Sequence, residues 1–348
     1  MIRVLVADDS PTARALLVAL LSMEPGISVV GEAHNGREAV EMTARLAPDV
    51  VTMDVHMPEL DGLAATKEIM TRSPRPIIIV SSSARLGDVE LSLEATRAGA
   101  LLVLPKPAGP AVAPADGEQR HLLNMVKAMA QVKLVRRHGA TPTPVTPMHQ
   151  IARPRSVQPL RLVAIGASTG GPAALLTILA QLPRNLPVPV LVVQHIAHGF
   201  TGGLVHWLAG GTALDVTLAR FGEVARAGTV YVAPDDRHLG LRIGSDGVMR
   251  LTLEASAPIG AFRPSATHLF RTVASAMGES ALGIILTGMG DDGVDGLRDL
   301  FAAGGYVIAQ DEETSVIYGM PREASRAGVV HQVLPLPEIA AQIVGLTA

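Results

Sequence analysis

Short apolar runs alternate with helix-like segments along the first hundred residues of the chain. Five runs have the length of buried strands: Ile2–Ala7, Ile27–Val30, Val50–Met53, Ile77–Val80 and Leu101–Leu104. Helical patterns lie between them: Pro11–Leu21, Gly36–Leu46, Leu60–Arg72 and Asp88–Ala98. This alternation predicts a five-stranded, doubly wound parallel sheet, with its ligand site at the carboxyl ends of the strands.

The same rhythm returns after residue 160. Five further apolar runs, with helical stretches between most of them, predict a second doubly wound, mostly parallel α/β sheet: Leu162–Ile165, Val190–Val193, Thr229–Ala233, Gly283–Leu286 and Tyr306–Ala309. A polar turn, Gly244–Gly247, joins the runs Leu239–Ile243 and Val248–Leu253. This pattern predicts a β-hairpin within the second sheet.

The segment between the two predicted sheets has a different composition. Glu118–Arg137 has an amphipathic helical pattern and is expected to close the first sheet. Residues 139–159 contain five prolines among scattered polar residues, a composition that cannot bury a core. We therefore predict one domain over residues 1–138, a linker over 139–159 and a second domain over 160–348.

Composition narrows the function classes. Hydrophobic residues make up 48% of the chain but aromatic residues only 3%, so the core must consist of small aliphatic side chains, as in buried parallel sheets. The net charge of -3 argues against a nucleic-acid partner, and the absence of cysteine excludes disulfides and thiol chemistry. Neither a signal peptide nor an apolar run of membrane-spanning length is found, and we expect a cytoplasmic protein without direct membrane insertion.

Five polar side chains follow strands of the first predicted sheet: Asp8, Asp9, Asp54, Ser81 and Lys106. Each aspartate alone is better explained as a helix cap or turn residue, but all five at strand ends favour a site. Converging carboxylates require a cation, and their oxygen ligands suit Mg²⁺. With Mg²⁺ and Lys106 neutralising charge, Asp54 could attack a phosphoryl donor, and Ser81 could hydrogen-bond the aspartyl phosphate.

These residues belong to a series of short motifs: Asp8-Asp9, Asp54-Val55-His56-Met57-Pro58, Asp61-Gly62, Val80-Ser81 and Lys106-Pro107. Over residues 1 to about 108 the chain resembles a two-component receiver domain. The resemblance implies that Asp54 is the phosphoacceptor and that Asp8, Asp9 and the His56 carbonyl complete the Mg²⁺ site with it. Val103 stands where many receivers carry an aromatic switch residue, so that switch is not expected here.

A glycine-rich turn follows the first run of the second domain. Gly166-Ala-Ser-Thr-Gly-Gly-Pro172 places Ser168 between a strand and a helix, as in the nucleophile-elbow pattern. The free N–H groups of the following helix could hold a developing oxyanion. A serine that merely caps this helix is an equally good explanation of the motif alone.

Two further polar residues follow strands of the same predicted sheet. His195 comes after Val190–Val193, and Asp292 follows Gly283–Leu286 within a glycine-rich turn. Convergence at one edge would allow a relay in which His195 takes the proton of Ser168 and Asp292 orients the imidazole. Taken singly, His195 could be a satisfied histidine and Asp292 a helix N-cap. The chain order also differs from that of α/β hydrolases, so that fold is not inferred.

Six motifs of the second domain occur in order: Gly166–Pro172, Gln194-His195 with Gly199-Phe200-Thr201, Tyr231–Pro234 with Asp236-Arg237-His238, Arg263-Pro264-Ser265, Thr287–Gly293 and Tyr318–Pro321. Together they resemble the chemotaxis methylesterases of the CheB family. The resemblance assigns the triad to Ser168, His195 and Asp292, a supporting role to Thr169 and an oxyanion-hole amide to Met289.

The sequence departs from the family pattern beside the site. Ala197-His198 stands where relatives often have two prolines, and Asp291 replaces an asparagine or a basic residue. These changes leave the three catalytic groups in place and are expected to tune substrate choice or the pKa of the histidine.

We therefore expect a phosphorylation-activated serine hydrolase. Its substrates would be glutamate γ-methyl esters and particular glutamines of methyl-accepting chemoreceptors, and a chemotaxis-type histidine kinase would be the phosphodonor. One alternative is a nucleotide-binding reductase, although a full G-x-G-x-x-G motif is missing around Gly166. The other is a non-enzymatic regulator that keeps the fold without the activity.

Overall fold

The structure is a computed structural model that describes residues 1–82, 94–95, 98–100, 102–107, 116–130, 160–196 and 198–347. The described residues form two compact units, the first within residues 1–136 and the second within 137–348. The linker predicted over 139–159 and most of the helix predicted over 88–98 lie outside the described residues. None of the helices in the described ranges has the length and apolar character needed to cross a bilayer.

The first unit contains the predicted five-stranded parallel sheet. Its elements are β1 (Ile2–Ala7), α1 (Pro11–Met23), β2 (Ile27–Ala33), α2 (Gly36–Leu46), β3 (Val50–Met53), α3 (Gly62–Arg72), β4 (Ile77–Ser81), β5 (Leu102–Pro105) and α4 (Asp116–Met129). The strand order is β2-β1-β3-β4-β5, and every pairing is parallel. The order reverses between β1 and β3, which places a binding crevice at the carboxyl ends of these two strands.

Polar caps begin the first three helices of this unit. The side chains of Ser10, Asn35 and Asp61 each accept a hydrogen bond from a backbone N–H of the first helical turn. Beneath the helices, aliphatic side chains of β1, β3 and β4 are fully buried, including Leu5 and Ile79. The sheet is therefore a rigid base that holds the loops at its carboxyl edge.

The second unit is built around a seven-stranded sheet. Its elements are β6 (Leu162–Ala167), α5 (Gly171–Leu179), β7 (Val190–Gln194), α6 (Thr201–Gly211), β8 (Asp215–Leu218), β9 (Thr229–Val232), β10 (His238–Ile243), β11 (Met249–Glu254), α7 (Ala266–Met277), a 3₁₀ turn (Gly278–Ser280), β12 (Ala281–Ile285), α8 (Val294–Ala302), β13 (Tyr306–Gln310), α9 (Met320–Arg326), β14 (Gln332–Leu334) and α10 (Leu336–Thr347). The order is β14-β13-β12-β6-β7-β9-β8, parallel throughout.

Two features differ from the sequence expectation. The hairpin of β10 and β11 forms at the predicted position, but the prediction that it lies within the large sheet is wrong, because it forms a separate two-stranded antiparallel sheet. The sheet also has two short edge strands, β8 and β14, that the apolar pattern did not predict. An edge strand needs only a few paired residues and keeps one side towards solvent, so it lacks a strong apolar signal.

The connections of the second sheet reverse at its centre. From β6 the chain proceeds to β7 on one side, and β12 pairs with β6 on the other. The crevice at the carboxyl ends of β6 and β12 is therefore the expected ligand site of this unit. Phe270 of α7 and Tyr231 of β9 are among the largest fully buried side chains that support it.

Candidate active site

Ser168 directly follows β6, in a turn held by backbone hydrogen bonds. Its N–H donates to the Thr287 carbonyl at 3.0 Å, and its own carbonyl accepts from Gly171 N–H at 2.8 Å. Gly170 has φ +80, and a Cβ there would lie 2.6 Å from the Cβ of Val316, so only glycine fits. The turn leaves Ser168 half-buried just before the first turn of α5.

His195 follows β7, the strand that pairs with β6. Its N–H donates to the Ala167 carbonyl at 2.9 Å, which ties the histidine to the residue before Ser168. The imidazole stacks on the ring of Phe262, with centroids 4.0 Å apart and planes inclined by 6°. Its Nε2 lies 2.8 Å from Oδ2 of Asp292. The histidine therefore has a fixed ring plane and a carboxylate partner.

The second imidazole nitrogen faces a different environment. Nδ1 of His195 is buried and makes no hydrogen bond within the described chain. Because Nε2 binds Asp292, Nδ1 is the nitrogen left for the proton of Ser168. The structure thus brings His195 and Asp292 into direct contact, whereas it contains no hydrogen bond between the side chains of Ser168 and His195.

Asp292 lies in the turn after β12, at the N-terminus of α7. Oδ1 accepts from the Ser265 hydroxyl at 2.7 Å and from Thr267 N–H at 3.1 Å, while Oδ2 accepts from Ala266 N–H at 2.7 Å. Burial raises the pKa of Asp292, but hydrogen bonds from His195, Ser265 and Thr267 outweigh it and hold the pKa at about 2. The group is therefore a buried anion at neutral pH, placed at a helix N-terminus that favours negative charge.

The glycine turn after β12 lies against Ser168. A Cβ built on Gly288 would stand 2.6 Å from the Ser168 Cβ, which shows how closely the two backbones approach. The backbone N–H of Met289 donates no hydrogen bond within the described residues, and its side chain is 37% exposed. This amide is thus available beside the serine. An available N–H group is the property that an oxyanion hole requires.

Thr169, to which the sequence resemblance assigns a supporting role, contacts the site through its backbone. Its carbonyl accepts a hydrogen bond from the Thr287 hydroxyl at 2.9 Å. Its own hydroxyl makes no hydrogen bond within the described part of the chain. The contact that links this residue to the site is therefore made by its backbone.

Three residues that the sequence reasoning did not select complete the site. Gln194 is buried, and its Nε2 donates to the Ser168 carbonyl at 2.7 Å and to the His195 carbonyl at 2.8 Å. Phe262 supports the imidazole, and Ser265 donates to Asp292. Gln194 directly precedes His195, and Ser265 ends the Arg263-Pro264-Ser265 motif, so their places in these motifs were the available signal. Nothing in the pattern pointed to Phe262.

Two departures from the family pattern, His198 and Asp291, lie at the surface. His198 is exposed, with Nδ1 3.3 Å from the Asp236 carboxylate, and Arg263 lies 3.6 Å from the same carboxylate. Asp291 is also exposed, one residue before the buried Asp292. Ala197 lies outside the described residues.

The first unit holds a separate site at the carboxyl ends of β1 and β3. Single carboxylate oxygens of Asp8, Asp9 and Asp54 all lie within 4.8 Å of one another. The Lys106 ammonium is 2.8 Å from Oδ2 of Asp8 and 2.9 Å from Oδ2 of Asp54. The oxygen donors of these three carboxylates, converging within a single ion's reach, fit a hard divalent cation such as Mg²⁺.

Burial and charge shift the pKa values of two groups at this site. Burial raises the pKa of Asp54, although the Lys106 ammonium acts in the opposite direction. Burial also lowers the pKa of Lys106, but hydrogen bonds to Asp8 and Asp54 outweigh it and the net pKa is raised. Lys106 therefore stays charged beside carboxylates that repel one another.

The remaining receiver residues lie where the strand order predicts. Ser81 ends β4 and is fully buried, and Lys106 follows β5. The side chain of His56 is exposed beyond β3, so only its backbone is oriented by the sheet. Val103 is partly buried against the core of this unit.

Comparison with known proteins agrees with the two-site architecture. Residues 163–343 match the family of CheB methylesterases, and residues 4–113 match the response regulator receiver domain. The chain is 50% identical to the protein-glutamate methylesterase/protein-glutamine glutaminase 4 of Myxococcus xanthus, over 98% of this chain and 96% of that protein. A methylesterase/glutaminase of Anaeromyxobacter dehalogenans is also 50% identical, over 98% and 97% of the two chains.

A solved structure covers the second unit. The CheB methylesterase catalytic domain of Thermotoga maritima is 39% identical and has a TM-score of 0.53, covering 54% of this chain and 98% of its own. These matches support neither the reductase alternative nor the non-enzymatic one. The chain therefore belongs to the CheB methylesterase family, as a response regulator that joins a receiver domain to a methylesterase domain.

Proposed function

We propose that Ser168, His195 and Asp292 hydrolyse glutamate γ-methyl esters of chemoreceptors. The observation that carries this proposal is the imidazole of His195, which binds the Asp292 carboxylate through Nε2 and keeps Nδ1 for the serine. Support for the substrate comes from relatives named protein-glutamate methylesterase/protein-glutamine glutaminase.

In the proposed reaction the Ser168 hydroxyl attacks the ester carbonyl while its proton passes to Nδ1 of His195. Asp292 stabilises the imidazolium that forms, because it remains ionised down to a pH of about 2. The Met289 N–H, which makes no hydrogen bond within the described residues, would bind the negative charge that develops on the carbonyl oxygen.

Collapse of the tetrahedral intermediate breaks the ester C–O bond. The imidazolium returns its proton to the departing oxygen, which leaves as methanol, and an acyl-serine remains. Water then adds to the acyl carbonyl with His195 as the base, which releases the glutamate carboxylate and restores Ser168. A glutamine amide passes through the same kind of oxyanion, so we assign deamidation of receptor glutamines to this site as well.

We propose that the receiver controls this reaction through phosphorylation of Asp54. Asp8, Asp9, Asp54 and the His56 carbonyl would hold Mg²⁺, which would neutralise charge on the transferred phosphoryl group. Lys106 already pairs with the Asp8 and Asp54 carboxylates and would balance phosphate charge, and Ser81 would bind a phosphate oxygen. The hydrolase site needs no metal in this scheme.

A histidine kinase of the chemotaxis type is the proposed phosphodonor, and the receptors are the proposed protein substrates. The receiver match supports the first, and the names of the relatives support the second. Phosphotransfer from an ATP-dependent kinase and the cysteine-free composition both favour the cytoplasm as the compartment.

The test is methanol release from receptor membranes that carry labelled methyl esters. The purified chain is assayed with and without acetyl phosphate and Mg²⁺, and Ser168→Ala is the control. We expect release by the wild-type protein, stimulation by the phosphodonor and none by the variant. Stimulated release by Ser168→Ala would refute the assigned nucleophile, and no release by the wild type would favour the non-enzymatic regulator.

A further inference from the structure

His238 begins β10 and is fully buried, and its two partners fix its protonation state. Nδ1 lies 3.2 Å from the Ser265 backbone nitrogen, and Nε2 lies 3.1 Å from the Ala257 carbonyl oxygen. A backbone N–H can only donate and a carbonyl can only accept. The imidazole must therefore be neutral, with its proton on Nε2 and an acceptor lone pair on Nδ1.

Ser265 connects this histidine to the catalytic carboxylate. It is the N-cap residue of α7, and its hydroxyl donates to Oδ1 of Asp292 at 2.7 Å. The next two backbone amides, from Ala266 and Thr267, also donate to Asp292. Three of the four hydrogen bonds to Asp292 therefore come from a helical turn whose first residue is bound by His238.

We propose that His238 is a positioning residue for ester hydrolysis. It holds the first turn of α7 in place, so that Asp292 keeps its donors and in turn orients the imidazole of His195. The proposal rests on the roles proposed above for Asp292 and His195. His238 contacts neither the serine nor the substrate and acts only through this series of hydrogen bonds.

A second buried histidine offers a matched comparison. His331 is also buried, its Nδ1 accepts from the Val307 backbone N–H at 3.1 Å, and it packs against Phe301 and Tyr306. None of these partners contacts Ser168, His195 or Asp292. Loss of its acceptor should therefore cost stability without changing the catalytic groups.

The charged groups around His238 come from the two elements that pack on β10. On α7, the ring of His268 stacks on His238 with centroids 5.0 Å apart, and Arg271 is the other charged side chain of that helix. Burial lowers the pKa of His268, so this neighbour is neutral at pH 7. On β11, Glu254 pairs in register with His238 and lies 4.0 Å from Nε2 of His268. Arg250 of the same strand binds Asp246 instead.

Two substitutions separate the two hydrogen bonds of His238. In His238→Asn, the side-chain oxygen of asparagine replaces Nδ1 and still accepts from the Ser265 N–H, but the donor to the Ala257 carbonyl is lost. In His238→Gln, the side-chain nitrogen of glutamine replaces Nε2 and still donates to Ala257, but the acceptor for Ser265 is lost. We expect kcat of His238→Asn to stay within about threefold of the wild type. We expect kcat of His238→Gln to fall about ten- to a hundredfold with little change in KM, because the catalytic groups lose alignment.

The pH dependence should change as well. A general base must be unprotonated, so we expect activity to fall at low pH. Donors to Asp292 lower the affinity of the His195–Asp292 pair for a proton, so their loss in His238→Gln should move the acid limb of the kcat profile to higher pH. His331→Gln, which removes the acceptor for Val307 in the same way, should lower the thermal midpoint and leave kcat and the acid limb unchanged.

The assay uses the full chain with acetyl phosphate, Mg²⁺ and receptor membranes carrying labelled methyl esters. A wild-type kcat and pH profile in His238→Gln would overturn the proposal, as would equal losses in His238→Asn and His238→Gln. A similar loss of kcat in His331→Gln would also overturn it. Ser168→Ala is run beside them: activity in that variant would refute the proposed function itself, whereas its inactivity leaves the His238 outcomes decisive.

A measurement on the wild-type protein keeps the proposal falsifiable if a variant fails to fold. The ring nitrogens of ¹⁵N-histidine-labelled protein report the tautomer of each imidazole. The signal of residue 238 is assigned in the wild-type protein through the contacts of its ring with the Ala257 carbonyl and the Ser265 N–H. We expect His238 to remain the neutral Nε2–H tautomer over the pH range of activity. A charged ring or an Nδ1–H tautomer in that range would overturn the proposal, because neither can accept from Ser265.

Discussion

Asp54 and Asp292 are buried carboxylates at the same kind of place, the carboxyl edge of a parallel sheet, yet their pKa values move in opposite directions. Burial raises the pKa of Asp54, which accepts from one backbone N–H and shares Lys106 with Asp8. Burial also raises the pKa of Asp292, but four donors outweigh it and lower the pKa to about 2. Asp54 has fewer donors, and the neighbouring Asp8 carboxylate raises its pKa further.

The contrast matches the two proposed roles. A phosphoacceptor has to offer a lone pair to phosphorus, so donors that fully occupy its oxygens would lower its nucleophilicity. A carboxylate that orients an imidazole never reacts and has only to remain ionised. The two sheets thus use one residue type for two purposes, and the neighbouring donors make the difference.

The largest expected effect is at the hydrolase site. Ser168→Ala should abolish methanol release, and Asp292→Asn should lower kcat about 10⁴-fold, because an amide cannot stabilise the imidazolium. Combining Ser168→Ala with His195→Gln or Asp292→Asn should cause no further loss, since the three groups act as one unit. The measurement is single-turnover methanol release, and additive losses would contradict a relay.

In the receiver, an aspartate-to-asparagine substitution at the proposed phosphoacceptor should change regulation only. Asp54→Asn should abolish phosphorylation by acetyl phosphate and Mg²⁺, while the rate of methanol release by the unphosphorylated protein stays that of the wild type.

A fragment starting near Ser156 should release methanol faster than the unphosphorylated full chain, because a tethered receiver is held at high effective concentration and can obstruct the substrate path. A slower fragment would mean that the receiver instead provides a positive contact. A chelator should not slow this fragment.

The third prediction compares stability rather than activity. The pKa of Asp292 is lowered from about 3.8 in the unfolded chain to about 2 in the folded protein. Its ionised form therefore stabilises the fold above a pH of about 3.8, and this stabilisation is lost as pH falls through about 2. The pKa of Asp54 is raised in the folded protein. The folded receiver therefore loses stability as this carboxyl ionises, that is, as pH rises through its pKa in the folded state. Asp54→Asn should therefore stabilise the receiver at pH 7, and Asp292→Asn should destabilise the second unit. Urea unfolding at pH 7 measures both signs, and equal signs would contradict the contrast.

The smallest effect is expected at the rim of the active site. His198→Ala removes an exposed contact to Asp236, and exposed ion pairs contribute little. We expect kcat/KM of His198→Ala to stay within about twofold of the wild-type value, at low salt and at high salt alike. A larger, salt-dependent change would show that this rim residue binds substrate.

Local patterns predicted most strands of both sheets within one or two residues, because buried parallel strands are continuous apolar runs. They missed β8 and β14, where side chains such as Asp215 and Val333 face solvent. Strand ends also located Ser168 and Asp54, since chain order alone brings them to a sheet edge. Residues that act through tertiary contacts, such as Phe262 and His238, carry no local signal and needed the three-dimensional structure.

The pairing of β6 with β12 has a consequence for how the protein is made. Ser168 and Asp292 belong to neighbouring strands, yet more than a hundred residues separate them along the chain. The hydrolase site can therefore close only after the ribosome has synthesised the receiver and most of the second unit, because Asp292 lies near the end of the chain. Prematurely terminated chains would contain the regulatory site without the esterase. Synthesis in this order completes the receiver before the proposed active site.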